Sequence, residues 1–174
     1  MDFEELLSLA RDSYVGQFVT FVDQQLLSGA PGTSEVKLQL DGSALYRQYY
    51  CVDFLSDAGD KPAIELAPDE EVTFDPVEVT LGEMEMSVSR LQWNDVVIAT
   101  GGPVDPRDLE DWFEDWFDPD DTTFDPDTRF SGNIHSLLIE GENLSVDLGT
   151  APVEALIELL VLLETLGYRK LRIS

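Results

Sequence analysis

From residue 34 to residue 100 the apolar side chains recur at about every second position, in short runs broken by Asp, Gly and Pro. A period of two sends successive side chains to opposite faces of an extended chain, so this stretch is expected to form a sheet. "EVKLQL" alternates Val36, Leu38 and Leu40, and Asp41–Gly42 follows as a favoured hairpin turn. The aromatic run "LYRQYYCVDFL" is the expected return strand. "AIEL", "EVTF", "VEVTL" and "EMSVSRLQW" read as further short strands. Asn94 and Asp95 turn the chain into "VVIAT", and Gly101, Gly102 and Pro103 close the section.

Different periods flank this region. "DFEELLSLAR" sets Phe3, Leu6, Leu7 and Ala10 on one helical face, with Asp2 and Glu5 spaced as a capping box. "SYVGQFVTFVDQQLL" keeps a helical period through Tyr14, Phe18, Val22 and Leu26 while also having strand propensity; a helix ending at Gly29 is favoured, followed by the loop "GAPGT". Beyond residue 130, "NIHSLLIE" and "NLSVDL" bracket a Gly141–Asn143 hairpin loop. "APVEALIELLVLLETL" is apolar on almost every side and reads as a buried helix, capped by Thr150 and ended by Gly167. "YRKLRIS" is a last strand; if it runs parallel to "LSVDL" in one sheet, the crossover is expected to be right-handed.

The expectation is an α+β fold. A mainly antiparallel sheet of about six to eight strands carries an N-terminal helix, a short acidic aromatic helix and a buried C-terminal helix. A chain of 174 residues fits one domain. Its sections are an N-terminal helical segment over 1–30, a β-rich region over 34–100, an acidic helix and loop over 104–130, and a hairpin, helix and strand over 131–174. "FDP" recurs at Phe74, Phe117 and Phe124 and reads as an aromatic anchor before an Asp-Pro turn.

Charge bounds the partners. Thirty-six acids against ten bases give a formal −26, which repels nucleic acid and anionic membranes and suits a basic protein partner, cations or a salty environment. No apolar run is long enough to span a bilayer, and the acidic start lacks the basic end of a signal peptide, so a cytoplasmic protein is expected. The single cysteine, Cys51, excludes an internal disulfide and reads as a buried, inert thiol.

The acids concentrate in "DPRDLEDWFEDWFDPDD". Asp105 caps a helix there, Pro106 occupies its first turn, and Leu109, Trp112, Phe113, Trp116 and Phe117 share one apolar face. The repeat "EDWFEDWF" also stacks Glu110 over Glu114 and Asp111 over Asp115, each like-charge pair costing about 0.2–0.5 kcal/mol. Early acids suit the positive end of the helix dipole, but Glu114, Asp115 and Asp118 crowd the negative end. Acids kept at a local cost mark a candidate partner-binding surface: Glu110, Asp111, Glu114, Asp115, Asp118, Asp120 and Asp121, with Trp116 as an aromatic contact.

Other chemistry is weakly signalled. An EF-hand starting at Asp118 would need Gly and Glu where Thr123 and Arg129 stand, so no metal and no cofactor are expected. His135, the only histidine, reads as a satisfied core or rim residue; a Cys51–His135 dyad has no local support. No nucleophile elbow, phosphate loop or zinc-protease motif occurs. Arg169, Lys170 and Arg172 crowd the C-terminus and are expected to pair with the acidic helix or with a second copy. The function expected is a non-enzymatic binder of a basic protein. By analogy of size and charge it would be an immunity-type or DNA-mimic inhibitor. The alternatives are an enzyme or small-ligand protein with a pocket between sheet and helices, and an ordinary domain of a salt-loving organism.

Overall fold

The computed structural model describes every residue except Ala30 and Lys61. Helix α1 (Phe3–Leu27) is one continuous helix across both N-terminal segments. The capping box forms as its spacing implies: Asp2 accepts from the Glu5 amide at 2.8 Å, and the Glu5 carboxylate accepts from the Asp2 amide at 3.0 Å. Leu6, Leu7, Ala10, Tyr14, Phe18, Phe21 and Val22 are its buried face. The loop expected after Gly29 includes Ala30, which lies outside the described residues.

The strands divide between two sheets, not the one expected. β1 (Gly32–Gln39), β2 (Tyr49–Ser56) and β3 (Ala63–Ile64) form a three-stranded antiparallel sheet. β4 (Val77–Leu81), β5 (Met84–Val88), β6 (Val96–Ala99), β7 (Ser136–Glu140), β8 (Asn143–Asp147) and β9 (Lys170–Ile173) form the second. Its order is β4-β5-β9-β6-β8-β7, antiparallel except for β5 beside β9. β8 and β9 point the same way in this sheet, with β6 between them.

Several local expectations are corrected. The β1–β2 ladder closes at Gln39 opposite Tyr49, so Asp41–Gly42 bends a longer connection instead of making a two-residue hairpin. Arg47 and Gln48 adopt left-handed backbone conformations there, which delays the return strand to Tyr49. "EVTF" is not a strand: its residues join neither ladder. Phe124 does not anchor its Asp-Pro turn in the core; it is 75% exposed.

The acidic helix begins as a 3-10 turn (Pro106–Leu109) capped by Asp105 and continues as α2 (Glu110–Phe117). Leu109, Trp112, Phe113 and Phe117 are buried, and the Phe113 and Phe117 rings stack at 5.0 Å, one turn apart. Trp112 donates to the Ala155 carbonyl at 2.9 Å, tying α2 to α3 (Val153–Thr165). Helix α3 buries Ala155, Leu156, Leu159, Leu160 and Leu163 but leaves Glu154, Glu158 and Val161 exposed, so it is covered on one side only. Its N-cap is Pro152, not Thr150. Its C-terminus is a Schellman closure on Gly167: Gly167 N–H bonds to Glu164 and Tyr168 N–H to Leu163. Arg169 pairs with Glu83 at 3.2 Å and Lys170 with Glu85 at 3.9 Å, both on the neighbouring β4–β5 hairpin; neither reaches the acidic helix.

Candidate functional site

Where the two sheets meet, four charged side chains from distant parts of the chain converge. Glu35 lies opposite Asp53 on the β1–β2 ladder, between the Ser34–Phe54 and Val36–Val52 pairs. Glu35 has φ 53°, a conformation non-glycine residues rarely adopt within a strand, and the ladder is interrupted at this pair. His135 sits just before β7, fixed by both sheets: its amide donates to Asp147 and its carbonyl accepts from Cys51, each at 2.8 Å.

The imidazole of His135 is completely buried. Its Nδ1 lies 3.1 Å from Oδ1 of Asp53 and its Nε2 lies 2.9 Å from Oε1 of Glu35. The carboxylates are themselves held. Glu35 accepts from the Thr150 hydroxyl at 2.5 Å and from the Ser131 hydroxyl and amide at 2.8 Å. Asp53 accepts from the Leu66 amide at 2.8 Å. Phe18 presents its ring to the imidazole at 5.9 Å, and a Cβ at Gly149 would lie 2.2 Å from the imidazole Cδ2. Only glycine, also needed for φ 52°, lets the backbone approach so closely.

These contacts reset the proton affinities. Burial alone would depress the His135 pKa, but the groups around it, Cys51, Asp53 and Glu35, hold it well above its ordinary value. Burial raises the Cys51 thiol, so the neutral thiol contributes little charge, and the two carboxylates stabilise the imidazolium. Burial opposes ionisation of Glu35 as well, yet its bonds to His135, Thr150 and Ser131 bring its pKa below normal. Asp147 is pushed up to about 7 by burial. Glu65 is pushed up to about 7 by partial burial and by its neighbour Asp53; the residue is exposed overall, but its carboxylate turns inward to the Asp53 amide.

His135 is the satisfied histidine that its strand context suggests, but nothing in the sequence points to Glu35, Asp53 or Asp147 as its neighbours. Glu35 alternates with Val36, as a solvent-facing residue would. Thr150 stands where a helix cap would, but its hydroxyl serves Glu35 instead.

The acidic segment is partly neutralised from within. Lys37, whose side chain is 7% exposed, reaches the Asp118 carbonyl at 2.6 Å, Asp121 at 2.7 Å and Asn133 at 3.1 Å. Glu114 pairs with Arg47 at 2.6 Å. Asp118 is buried, contrary to the expectation of an exposed loop; it ends α2 in a left-handed conformation and accepts from the amides and hydroxyls of Thr122 and Thr123. Burial would raise its pKa, but these four donors hold it well below the usual range. Trp116 is half-buried and donates to Glu158 at 2.7 Å. Glu110, Asp111, Asp115 and Asp120 are exposed, with no ion-pair partner among the described residues.

No family model, curated protein or solved structure matches this chain. Among the described residues no helix is long and apolar enough to cross a membrane. A cleft of about 390 Å³ separates β1 from residues 119–133, with Glu35, Lys37, Phe124, Arg129 and Phe130 among its walls.

Proposed function

We propose that this protein is a non-enzymatic binder of a basic protein, of the immunity or DNA-mimic kind, and that the acidic segment is its contact surface. One observation carries the reading. Seven carboxylates between residues 108 and 127 (Asp108, Glu110, Asp111, Asp115, Asp120, Asp125 and Asp127) are exposed and form no ion pair among the described residues. Phe124, 75% exposed in their midst, is the aromatic anchor. The other acids of the repeat, Glu114, Asp118 and Asp121, hold the segment in shape, and Trp116 braces it against α3. Such a surface steers a basic partner at long range and fixes its orientation on contact. The sealed position of His135 weighs against a reaction that needs substrate at the imidazole.

The test is capture of partners at low salt from a lysate of the organism that encodes the protein, with the triple variant Asp111→Asn, Asp115→Asn, Asp120→Asn alongside. The reading expects one basic protein, near equimolar, that is lost from the variant and whose association slows as salt is added. Equal capture by both forms would remove the segment from the interface.

Adaptation to high salt is the second reading, favoured because the other twenty-five acids lie outside residues 105–127. A broad set of basic proteins eluting in order of their charge would support it over a specific partner.

A further inference from the structure

We propose that Asp53, His135 and Asp147 form a binding site for a first-row divalent transition metal, with Glu35 as the outer carboxylate that orients the histidine. One ligand atom from each of the three lies within 4.8 Å of the other two. Metal–oxygen and metal–nitrogen bonds of about 2.0–2.2 Å put neighbouring ligand atoms roughly 3–4 Å apart, so side-chain adjustments of under about 1 Å close the site. Asp53 and the Nδ1 of His135 are already 3.1 Å apart.

The carboxylate that would orient a metal-bound His135 is in place. A metal-bound histidine ordinarily donates its other ring N–H to a carboxylate. Here Nε2 faces Glu35 at 2.9 Å. Glu35 is fixed by Thr150 and Ser131 and held in a left-handed conformation, an outlay of backbone strain at this one point of β1.

A second buried polar group lies unpaired in the same core. The Tyr14 hydroxyl is buried, the residue being 2% exposed, and it has no hydrogen-bond partner. The Tyr14 ring lies 6.0 Å from that of Phe18, which in turn lies 5.9 Å from the imidazole of His135. A buried phenol O–H without an acceptor is a polar group whose partner a bound ion or its water could supply. Asp53, Asp147 and Glu35 set three carboxyl groups around a single imidazole, and a divalent ion bound at Nδ1 would take the place of the proton that nitrogen carries, which is released to solvent. One imidazole nitrogen with carboxylate oxygens suits zinc, manganese, iron or cobalt, in contrast to the all-oxygen sets of calcium and magnesium. Asp147 is the one ligand residue of the three that keeps some exposure, although its carboxylate lies inside.

The experiment titrates Co2+ into the full chain after chelator treatment, in about 1 M salt, where the Debye length is near 3 Å and loose cation condensation on the acidic surface is suppressed. One equivalent should produce a saturable visible absorption band that Zn2+ displaces and excess Mg2+ does not. Asp147→Asn should weaken Co2+ at least tenfold, and Glu35→Gln by about 10–100-fold, the range for second-shell partners. The double variant Asp111→Asn, Asp115→Asn should bind Co2+ as the parent does. Asp147→Asn removes a charge from a buried position, so it is expected to fold, and its thermal melt confirms that independently. No saturable band in the parent, or a band kept by Asp147→Asn and lost by the surface double variant, overturns the proposal. Partner capture does not depend on this site, so either reading can fail alone.

Discussion

Oε1 of Glu35 lies 2.9 Å from Nε2 of His135, across one hundred residues of chain, and joins the three-stranded sheet to the six-stranded one. Removing one member of a buried charged pair strands the other. Glu35→Ala is therefore expected to cost about 3–5 kcal/mol in urea unfolding. Thr150→Val, which removes the donor to Glu35 and the acceptor of the Gly132 amide, should cost about 1–3 kcal/mol. A loss below about 0.5 kcal/mol for both, the scatter of ordinary surface changes, would show that the pair does not hold the sheets together.

Gly149 is a second test of the same contact. Alanine there would drive a methyl into the His135 ring, 2.2–2.6 Å from three of its atoms, in a left-handed backbone conformation. Gly149→Ala should destabilise more than Gly132→Ala, where φ is 71° but nothing stands within 4 Å of the added Cβ. Equal losses would mean that backbone conformation alone sets the cost.

The two tryptophans of the repeat should separate. Trp112 is 6% exposed and bonded to Ala155, so Trp112→Ala is expected to cost about 3–5 kcal/mol. Trp116 is half-buried, and its indole bonds to an exposed glutamate; its loss should be clearly smaller. Chemical unfolding of both variants decides this, and an unchanged midpoint for Trp112→Ala would refute its place in the core.

Asp118 should shape the acid limb of stability. Its folded pKa lies below its ordinary value of 3.8, so the folded state binds fewer protons in that range. The stabilisation is complete above that value and drains away as pH falls through it toward the folded pKa. Asp118→Asn should lower stability at neutral pH and flatten the loss between about pH 4 and pH 2. An unchanged acid slope in the variant would show that the Thr122 and Thr123 donors do not favour its ionised form.

Salt should stabilise the fold. Eight of the nine described bases are already paired with acids, leaving most of the excess charge uncompensated. The melting temperature is expected to rise with sodium chloride as the Debye length shrinks from about 30 Å at 0.01 M to 10 Å at 0.1 M. A flat curve would mean that the remaining carboxylates do not repel one another across the surface.

What the sequence determined was local. Asp2 and Glu5 are three residues apart, and the helix start they encode is present. The apolar face of "EDWFEDWF" is one turn repeated, and Phe113 stacks on Phe117 as that spacing requires. Gly167 ends α3 because only the residue after a helix needs its conformation. Alternation marked most strands and the α+β class, since period two and period 3.6 are properties of neighbours along the chain.

Tertiary structure decided what those periods cannot encode. Glu35 and Lys37 alternate with Val36 and Leu38, and by period two they belong on a solvent face. The segment from Asp118 to His135 folds over that face, burying both charges and supplying their partners. The division into two sheets follows from the same fact: β2 meets the six-stranded sheet through Cys51 and the His135 carbonyl, not through a ladder. Glu35, Asp53, His135 and Asp147 become neighbours only once both sheets exist. A buried charge and a solvated one are written with the same letter, and what separates them is the desolvation and pairing that distant residues provide.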